Sequence, residues 1–482
     1  MSNDIIVVGC GVAGLSAAIT AAEEGANVAV LERSAREVRG GNSRYTEAYL
    51  RMPNETQISD DFEDRLVNNS VGAMDPKFLQ FILKPYDQWP QLLKAYGITD
   101  TEVISAFSNG VVDSIAWLKG FGIKFIEATT FLTQATVRIA PSGGGEAIVE
   151  ALADAGEKMG ITFHYETTAR SLIQNRKGEI RGVQAWSNKD GVTDFESNAV
   201  ILASGGFEGN LEMMTKYVGF HAYLTRPTAP GGLYNKGEGI EMALRVGAAP
   251  AGQYDAFHAE PIDPRSASPE ASIFIFNYGI LVNQEGKRFV DEGAGLSDLI
   301  YEEVSRAILR QSGGKAYLIY DSKIEDVPNY KKVIRTDKEP IKAKSIRELA
   351  SRLEIDPVSL EKTIKDFNNA VKKGEFIALD LDGVGTKGID PPKSNWARTI
   401  DENDLIAFPI ICSNVFTFGG LKITSKGEVV NTDGYVVPGL YAAGETIGFY
   451  YGSYVGSTSV LRGLVFGRIS GKEAMNYSKK VT

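Results

Sequence analysis

The chain begins with an apolar run whose pattern predicts a strand, a tight turn and a helix. Residues 4–8 (DIIVV) predict a buried strand, residues 9–14 (GCGVAG) predict the turn, and alanine-rich sequence predicts a helix to about Glu24. A second strand is expected over residues 27–31, ending at Glu32. This order around GxGxxG is typical of a dinucleotide-binding unit, because the glycines permit the tight turn, the approach of a pyrophosphate and close packing of helix on strand. The acidic residue after the second strand is placed to bind ribose hydroxyls.

Three later segments continue this alternation of strands and helices. Residues 140–173 predict a glycine-rich loop, a helix and a strand, and residues 198–210 (NAVILASGGFEGN) predict a buried strand that ends in a Gly-Gly turn. The latter lacks a further GxGxxG, so we predict no nicotinamide site. Residues 345–375 have helical spacing with an Asp-Pro break, which predicts paired surface helices in a segment distinct from the nucleotide-binding ends.

Composition narrows the possible function classes. With 482 residues, of which 43% are hydrophobic, the chain is expected to fold into two or three structural units. A net charge of −10 without a basic run excludes nucleic acid as a partner. Cys10 and Cys412 are the only cysteines, and there are three histidines, which excludes a disulfide scaffold, a four-cysteine metal site and a CxxCH haem within this chain. We therefore predict no metal site, and any electron relay must be another molecule.

Residues 5–22 carry no charge, but their surroundings do not fit a signal peptide or a membrane span. Asp4 stands where a signal peptide has a positive flank, three glycines interrupt the run, and residues 23–33 return to a strand pattern. We expect a cytoplasmic protein with no membrane span.

Motifs along nearly the whole chain resemble one family. They are GCGVAG (9–14), GGNS (40–43), PSGGG (141–145), ILASGGF (201–207), GEGIEMA (237–243), ILVNQEGKRFVDE (280–292), FTFGGL (416–421) and GLYAAGE (439–445). In this order they resemble the flavoprotein subunits of fumarate reductase and succinate dehydrogenase, together with the related tricarballylate and 3-ketosteroid dehydrogenases. The resemblance implies an α/β fold with a Rossmann-like FAD-binding domain of the glutathione reductase type, interrupted by an α+β capping domain. It implies an FAD-binding domain over residues 1–254 and 416–482, with the capping, substrate domain over residues 255–415.

The resemblance also implies which residues contact FAD. Gly444 and Glu445 would face the ribityl chain, and a helix starting near Ser459 would direct its positive end at the flavin C2 carbonyl. Covalently flavinylated relatives carry a histidine within the stretch that matches residues 40–45, whereas this chain reads GGNSRY, so we expect non-covalent FAD. The implied FAD contacts are Gly9, Gly11, Gly14, Glu32, Arg33, Gly41, Asn42, Ser43, Ala169, Ala203, Gly205, Gly444, Glu445, Ser459 and Leu461.

The substrate residues of fumarate reductases are largely replaced here. Those enzymes hold a dicarboxylate between histidines and arginines and deliver a proton from an arginine just after GKRFV(N/D)E. In this chain Ser297 takes that arginine's place, Phe416 stands at a substrate-binding histidine, and Tyr454 stands at a carboxylate-clamping arginine, while His258 is retained. We therefore expect fumarate and succinate to be poor substrates.

An aromatic surround suits a substrate with an apolar body, because burying hydrocarbon against rings contributes about 25 cal/mol per Å². The YVGSTS stretch (454–459) is similar to the stretch with which ketosteroid dehydrogenases bind a ketone oxygen, whereas FTFGGLK and GKRFVDEGA are closer to tricarballylate dehydrogenase. We predict that Tyr454 donates to a substrate carbonyl and that His258 or Tyr278 handles the proton. Further predicted substrate contacts are Phe416, Phe418, Arg44, Tyr451 and Gly456, and Arg44, Arg138 and Arg462 are candidates to pair with a substrate carboxylate.

The predicted function is an FAD-dependent dehydrogenase, or desaturase. It would oxidise a CH–CH bond next to a carbonyl or carboxylate, with the hydride passing to flavin N5 and the electrons then to oxygen, a quinone or a redox protein. The substrate would have an apolar or alicyclic body, as a cyclic ketone or oxo acid has. The alternatives are a tricarballylate-type polycarboxylate dehydrogenase, an enoate or fumarate-type reductase running the reaction backwards, and a non-catalytic flavin-binding electron carrier.

Overall fold

The computed structural model describes residues 3–71, 80–81, 84–128 and 138–481. The strands are β1 Asn3–Val8, β2 Val28–Leu31, β3 Phe125–Ala128, β4 Arg138–Pro141, β5 Thr162–His164, β6 Thr167–Gln174, β7 Ile180–Ser187, β8 Gly191–Leu202, β9 Arg226–Pro227, β10 Pro250–Ala251, β11 Phe257–Ile262, β12 Ile280–Asn283, β13 Lys315–Tyr320, β14 Ile341–Ala343, β15 Leu405–Thr417, β16 Gly420–Leu421, β17 Glu428–Val430 and β18 Val436–Ala442. The helices are α1 Val12–Glu23, α2 Gly41–Tyr45, α3 Phe62–Val71, α4 Thr101–Gly120, α5 Gly144–Lys158, α6 Leu211–Val218, α7 Glu238–Arg245, α8 Ser297–Leu309, α9 Ile346–Leu353, α10 Pro357–Ala370 and α11 Ser459–Val481.

The strands of the first 31 residues lie at the centre of an eight-stranded sheet. The order along this sheet is β17-β18-β8-β1-β2-β5, with β7 and then β6 extending from β8. Strands β18, β8, β1, β2 and β5 are parallel, as the strand, helix, strand pattern predicts. β1 and β2 are fully apolar at their carboxyl ends and are buried on both faces, which is typical of the central strands of a parallel sheet.

A second, six-stranded sheet is built mainly from the middle of the chain. Its order is β11-β15-β13-β12, and β14 and β9 also pair with β15. Strand β15 runs from Leu405 to Thr417 and therefore crosses the expected boundary at residue 415. The two sheets draw their strands from nearly the segments that the sequence assigns to an FAD-binding part and a cap, and the exact domain limits stay a prediction.

The long C-terminal helix α11 lies against α1. Three glycines of α11, four residues apart, face α1 on one stripe. A Cβ on Gly467 would stand 2.4 Å from the carbonyl oxygen of Ala13, and one on Gly471 would stand 2.4 Å from that of Ala17. A Cβ on Gly463 would approach Val12 to 2.9 Å. The absence of side chains along this stripe lets the two backbones touch, so the last helix fixes the position of the first.

The segment 345–375 forms the two helices that its spacing predicts. Ser345 caps α9 by accepting from the backbone N–H of Glu348, and Asp356 caps α10 by accepting from that of Ser359. Pro357 occupies the first position of α10, where a missing N–H costs nothing. The predicted Asp-Pro break is therefore the junction of two capped helices.

Candidate active site

A deep cavity lies between the glycine turn at the end of β1 and the middle segment of the chain. It opens to solvent, and together with the open solvent at its mouth it spans about 1850 Å³ of space not filled by protein atoms. Residues from both sheets line it, among them Gly9 and Gly11 of the turn, Glu32 after β2, and His258 and Phe416 of the second sheet. The space is large enough for a dinucleotide and a second, smaller molecule.

The glycine turn has the geometry that a bound pyrophosphate needs. Gly9 has φ +105°, and a Cβ there would stand 2.3 Å from the carbonyl oxygen of Ala203. A Cβ on Gly14 would stand 2.0 Å from the carbonyl oxygen of Gly9. Gly9 and Gly11 line the cavity, whereas Gly14 lies under the turn within α1, where it allows close packing. Gly11, the N-cap residue of α1, supplies no side-chain cap, and this helix end faces the cavity, as a phosphate-binding helix end does.

Glu32 and Ser43 hold the walls around this turn. The Glu32 carboxylate accepts from the backbone N–H of Cys10 and of Ser34, each at 2.8 Å, and it stays in the cavity wall. Ser43 Oγ accepts from the N–H of Val12 at 3.1 Å and so ties α2 to the start of α1. Arg33 also lines the cavity and forms a bidentate pair with Glu238.

Two buried carboxyl groups lie side by side in the wall that continues from the turn. Asn235 donates to Glu208 at 2.6 Å and to Glu445 at 3.4 Å, and Asn42 also donates to Glu208 at 2.7 Å. Burial raises the pKa of both carboxyl groups, and the charge of Glu445 raises that of Glu208 further. Glu445 Oε1 accepts from the N–H of Thr417 at 2.8 Å, which anchors the end of β15 to this wall.

The start of α11 supplies a buried arginine to the cavity wall. Arg462 lines the cavity and is 2% exposed, and within the described residues its Nε and Nη1 have no hydrogen-bond partner. Its guanidinium lies 4.7 Å from the ring centroid of Tyr450. Two buried guanidinium nitrogens without acceptors raise the free energy of the folded protein. An anionic or carbonyl group is therefore expected to enter the cavity at this point. The cavity wall therefore fits FAD, with Arg462, Ser459 and Gly444 on one side and the glycine turn on the other.

The remaining predicted FAD residues sort into two groups. Gly41, Asn42, Ser43, Ala169, Ala203, Gly205 and Glu445 all line the cavity. Leu461 does not, because its side chain is fully buried beneath Val460 in the first turn of α11. Each of these contacts with FAD stays a prediction.

Beyond the glycine turn, the cavity continues into a part that we call the substrate chamber. Three side chains form its floor, with ring centroids 4.6 Å apart for His258 and Tyr454, 5.0 Å for Phe416 and Tyr454, and 5.1 Å for His258 and Phe416. His258 and Phe416 are paired across β11 and β15, which explains why residues distant in sequence meet here. The chamber is lined by Glu47, Tyr49, Arg138, His258, Glu260, Glu270, Asp298, Tyr301, Arg335, Phe416, Tyr454, Gly456 and Ser457.

His258 is held between two carboxylates. Its Nδ1 lies 2.7 Å from Glu302 Oε1, and its Nε2 lies 3.5 Å from Glu260 Oε1. Burial alone would lower the pKa of His258, but the hydrogen bonds to Glu260 and Glu302 outweigh it and raise the pKa to about 9. At neutral pH the ring is therefore an imidazolium that has no free site for another proton.

The hydroxyl of Tyr454 lies at the N-terminus of α11. Its oxygen accepts from the backbone N–H of Thr458 at 2.9 Å and of Ser459 at 3.0 Å. These two donors polarise the O–H, which in turn reaches Ser459 Oγ at 3.0 Å. The sequence predicts that the positive end of this helix faces the flavin C2 carbonyl. In the structure, two N–H groups at this helix end donate to the Tyr454 oxygen.

The chamber carries more charge than the sequence predicts. Arg335 pairs with Glu47 at 2.8 Å and with Glu270 at 3.5 Å. Burial, and then the charge of Glu260, raise the pKa of Glu270 to about 8. These residues come from loops and strand ends that carry no motif, so no local signal marks them, and only the fold brings them together.

Arg138 and Asp298 also line the chamber. The sequence predicts Arg138 as a candidate partner of a substrate carboxylate and predicts no role for Asp298. Arg138 Nη1 donates to Ser457 Oγ at 2.9 Å, and burial lowers the pKa of its guanidinium. Asp298 lies in the first turn of α8, directly after Ser297. Burial raises the pKa of Asp298, against the opposing charge of Arg138.

Four residues that the sequence assigns to catalysis or substrate binding lie outside the cavity. The hydroxyl of Tyr278 donates to the carbonyl oxygen of Ala378 at 2.6 Å, and its ring packs on Trp396. Arg44 pairs with Glu146 and Glu150 of α5. Phe418 is fully buried behind Phe416, and the hydroxyl of Tyr451 donates to the carbonyl oxygen of Gly97. The structure therefore does not bring these four side chains into the cavity wall, and their predicted roles stay untested.

Two further features bear on predicted partners. In the described ranges, no group of three or more His, Cys, Asp or Glu side chains could hold a metal ion. Among the same residues, no helix is both long enough and apolar enough to cross a membrane.

Comparisons with known proteins agree with this geometry. The family described as "FAD binding domain" matches residues 4–461. The chain is 29% identical over 486 residues to a fumarate reductase (cytochrome) of Shewanella frigidimarina, covering 99% of this chain and 78% of that protein. It is 27% identical over 512 residues to a vinyl phenol reductase of Lactiplantibacillus plantarum, covering 99% and 97%.

Solved structures share the fold. An open conformation of a flavocytochrome c3 fumarate reductase superposes with a TM-score of 0.73 at 22% identity, covering 99% of this chain and 78% of that one. A 3-ketosteroid Δ1-dehydrogenase of Sterolibacterium denitrificans superposes with a TM-score of 0.72 at 18% identity, covering 98% and 99%. The predicted α/β FAD-binding fold with a cap is thereby confirmed. The chain belongs to the FAD binding domain family, among the flavoproteins of the fumarate reductase and succinate dehydrogenase type, and it is an FAD-dependent oxidoreductase.

Proposed function

We propose that the protein dehydrogenates a CH–CH bond next to a carbonyl group, in a substrate with an apolar body. The observation that carries this proposal is the polarised hydroxyl of Tyr454, which lies beside Phe416 in the same cavity as the glycine turn. FAD, when bound, supplies the two-electron chemistry by taking up a hydride.

Tyr454 acts on the carbonyl oxygen. Negative charge grows on that oxygen when the neighbouring carbon loses a proton, and a donor in a buried chamber stabilises it strongly. Two backbone N–H groups already donate to the Tyr454 oxygen, which makes its O–H a better donor. To donate to the carbonyl, this O–H leaves Ser459 Oγ, its acceptor in the structure. Phe416 offers an apolar surface to the hydrocarbon next to the carbonyl.

The charges of the chamber argue against a polycarboxylate substrate. Glu47, Glu260 and Glu270 line the chamber around Arg335, and Arg335 already pairs with two of them. A substrate carboxylate placed beside Arg335 would meet the charged Glu260 and a guanidinium that is already paired, which is unfavourable in a buried site. We therefore expect fumarate, succinate and tricarballylate to be poor substrates.

A reductase acting in the opposite direction is the second candidate. The imidazolium of His258, whose pKa is raised to about 9, is a proton store next to the chamber, and several similar proteins are named as reductases. The name of the vinyl phenol reductase also points to an aromatic substrate body, which agrees with Phe416 and Tyr301 in the wall.

Anaerobic spectroscopy separates the two directions. The oxidised holoenzyme is mixed with 4-phenyl-2-butanone, and bleaching of the flavin absorption is followed. The photoreduced holoenzyme is then mixed with the enone 4-phenyl-3-buten-2-one, and reoxidation is followed. Rapid bleaching with slow reoxidation supports the dehydrogenase, whereas rapid reoxidation without bleaching contradicts it and supports the reductase. Robust reduction of fumarate would contradict both the substrate class and the assignment of the chamber.

A further inference from the structure

We propose that Asp298 is the residue that accepts the substrate proton, a role that sequence reasoning gives to His258 or Tyr278. This inference rests on the proposed function and deepens it. Asp298 lies in the first turn of α8, and α8 packs on β11, the strand that carries His258. Its side chain lines the substrate chamber together with Tyr301 and Tyr454.

The other groups of the chamber are already engaged. His258 is an imidazolium held between Glu302 and Glu260, so neither nitrogen can take a proton. Glu260 accepts from Ser272 Oγ at 2.5 Å and faces the imidazolium with its other oxygen. Glu270 faces Arg335 at 3.5 Å.

Asp298 has an oxygen that is open to a new partner. Within the part of the chain that the structure describes, its Oδ1 is buried and makes no hydrogen bond. A buried acceptor without a donor is unfavourable, so this oxygen is suited to receive a proton or a hydrogen bond from a ligand in the chamber. Burial also makes Asp298 hold a proton more readily than an exposed aspartate does.

The positive charge of Arg138 favours the ionised carboxylate form of Asp298. The charge of Arg138 opposes the effect of burial on Asp298, and the same guanidinium donates to Ser457 Oγ at 2.9 Å. Arg138 and Asp298 act on each other through their charges, and the described residues show no hydrogen bond between the two side chains. The pair thus combines a charged acceptor with a nearby cation that does not neutralise it by direct contact.

The proposed step transfers one proton from the substrate to Asp298. The C–H bond next to the carbonyl breaks, its proton moves to Asp298 Oδ1 and forms an O–H bond, and its electron pair stays on the carbon. The resulting enolate is stabilised by the hydroxyl of Tyr454 on its oxygen. Bound FAD would supply the acceptor for the hydride that leaves the next carbon, and the enolate electrons would form the new C=C bond.

Deuterium exchange tests the proton step separately from the redox step. The holoenzyme is incubated without an electron acceptor in D₂O with 4-phenyl-2-butanone, and incorporation of deuterium at the CH₂ next to the carbonyl is measured by mass spectrometry. We expect Asp298→Asn to lower the exchange rate about 100-fold or more, since a positioned base contributes about 10²–10⁴-fold. Asp298→Glu should restore part of the rate.

A matched control lies on the same helix. Glu303 is exposed on α8, so Glu303→Gln should exchange at the wild-type rate, and all variants should hold equal amounts of FAD. The wild-type rate should rise with pH as Asp298 ionises, and Asp298→Asn should lose this dependence. The charged and titratable groups that act on Asp298 or on its neighbour Arg138 are Arg51, Arg65, Arg138, Tyr301 and Tyr454.

The outcomes separate this inference from the proposed function. If the wild type exchanges deuterium and Asp298→Asn changes the rate by less than about threefold, the proton goes elsewhere and the assignment of Asp298 is wrong. If the wild type neither exchanges deuterium nor is bleached by the ketone, the proposed function fails, and the assignment fails with it.

Discussion

The two ends of the cavity are built in different ways. At the dinucleotide end, backbone atoms and glycines form the wall. A Cβ at Gly9 or Gly14 would lie less than 2.5 Å from a backbone carbonyl oxygen, so only glycine fits at these two positions. At the substrate end, the wall consists of side chains from several strands and loops, such as His258, Asp298 and Tyr454. A backbone wall can be specified by a short local motif, whereas a side-chain wall depends on which distant segments the fold brings together.

The largest effect is expected at the dinucleotide end, from adding one methyl group to a glycine of the turn. In Gly14→Ala the new Cβ would stand 2.0 Å from the carbonyl oxygen of Gly9, so either the turn or α1 must move. We expect nearly complete loss of FAD from the purified protein, measured as flavin absorbance per chain after acid release. Gly120→Ala is the control, because a Cβ there meets nothing within 4 Å. A Gly14→Ala protein with full FAD content would contradict the close-packed turn.

At the substrate end, removing one oxygen should affect catalysis more than cofactor binding. Tyr454→Phe keeps the ring and removes the donor to the carbonyl, and loss of such a donor costs about 100- to 1000-fold in kcat. FAD content should not change. The melting temperature should fall slightly, because the hydroxyl also caps α11, and caps contribute about 0.5–2 kcal/mol. A change in kcat below about threefold would remove Tyr454 from the mechanism.

The buried His258 should make stability depend on pH. Its folded pKa of about 9 lies above its ordinary value of 6.5, so the protonated form stabilises the fold. This stabilisation is complete below about pH 6.5 and is lost as pH rises through about 9, and it amounts to roughly 3 kcal/mol. Urea unfolding of the wild type should show this loss between pH 7 and 10, compared with His258→Gln in the same buffers. Equal pH dependence in both proteins would contradict a charged His258.

Tyr278→Phe should have the smallest effect. Its hydroxyl donates to the carbonyl oxygen of Ala378 outside the cavity, so the variant loses one hydrogen bond of about 1 kcal/mol and nothing from the chamber. We expect kcat to stay within about twofold of the wild type, measured beside Tyr454→Phe with the same ketone. A large loss of kcat would restore Tyr278 as a catalytic candidate and require a rearrangement of the cap.

The sequence predicts the backbone-built parts well and the side-chain-built parts poorly. The first strand, helix and strand and the capped helices near residue 356 follow from local patterns, and the helix that begins at Ser459 follows from the family resemblance. Glu270 and Arg335 meet in the chamber although they lie in unmarked loops, and no periodicity places them there. Tyr278 and Tyr451 illustrate the converse case, since each lies near a motif but directs its hydroxyl to a backbone carbonyl outside the cavity. Of the two carboxylates that hold His258 charged, Glu260 is two residues away on the same strand, whereas Glu302 becomes a neighbour only in the folded chain.

The glycine stripe by which α11 contacts α1 has a consequence for synthesis in the cell. The first strand, glycine turn and helix leave the ribosome early, yet the helix that fixes them begins only at Ser459. Chains grow at about 5–20 residues per second, so tens of seconds separate the two events. During this interval the apolar face of α1 lacks its final cover, and the cofactor wall that includes Arg462 does not exist. Cofactor loading is therefore expected after translation rather than during it, and the nascent N-terminal segment is the part of this protein most in need of chaperone protection.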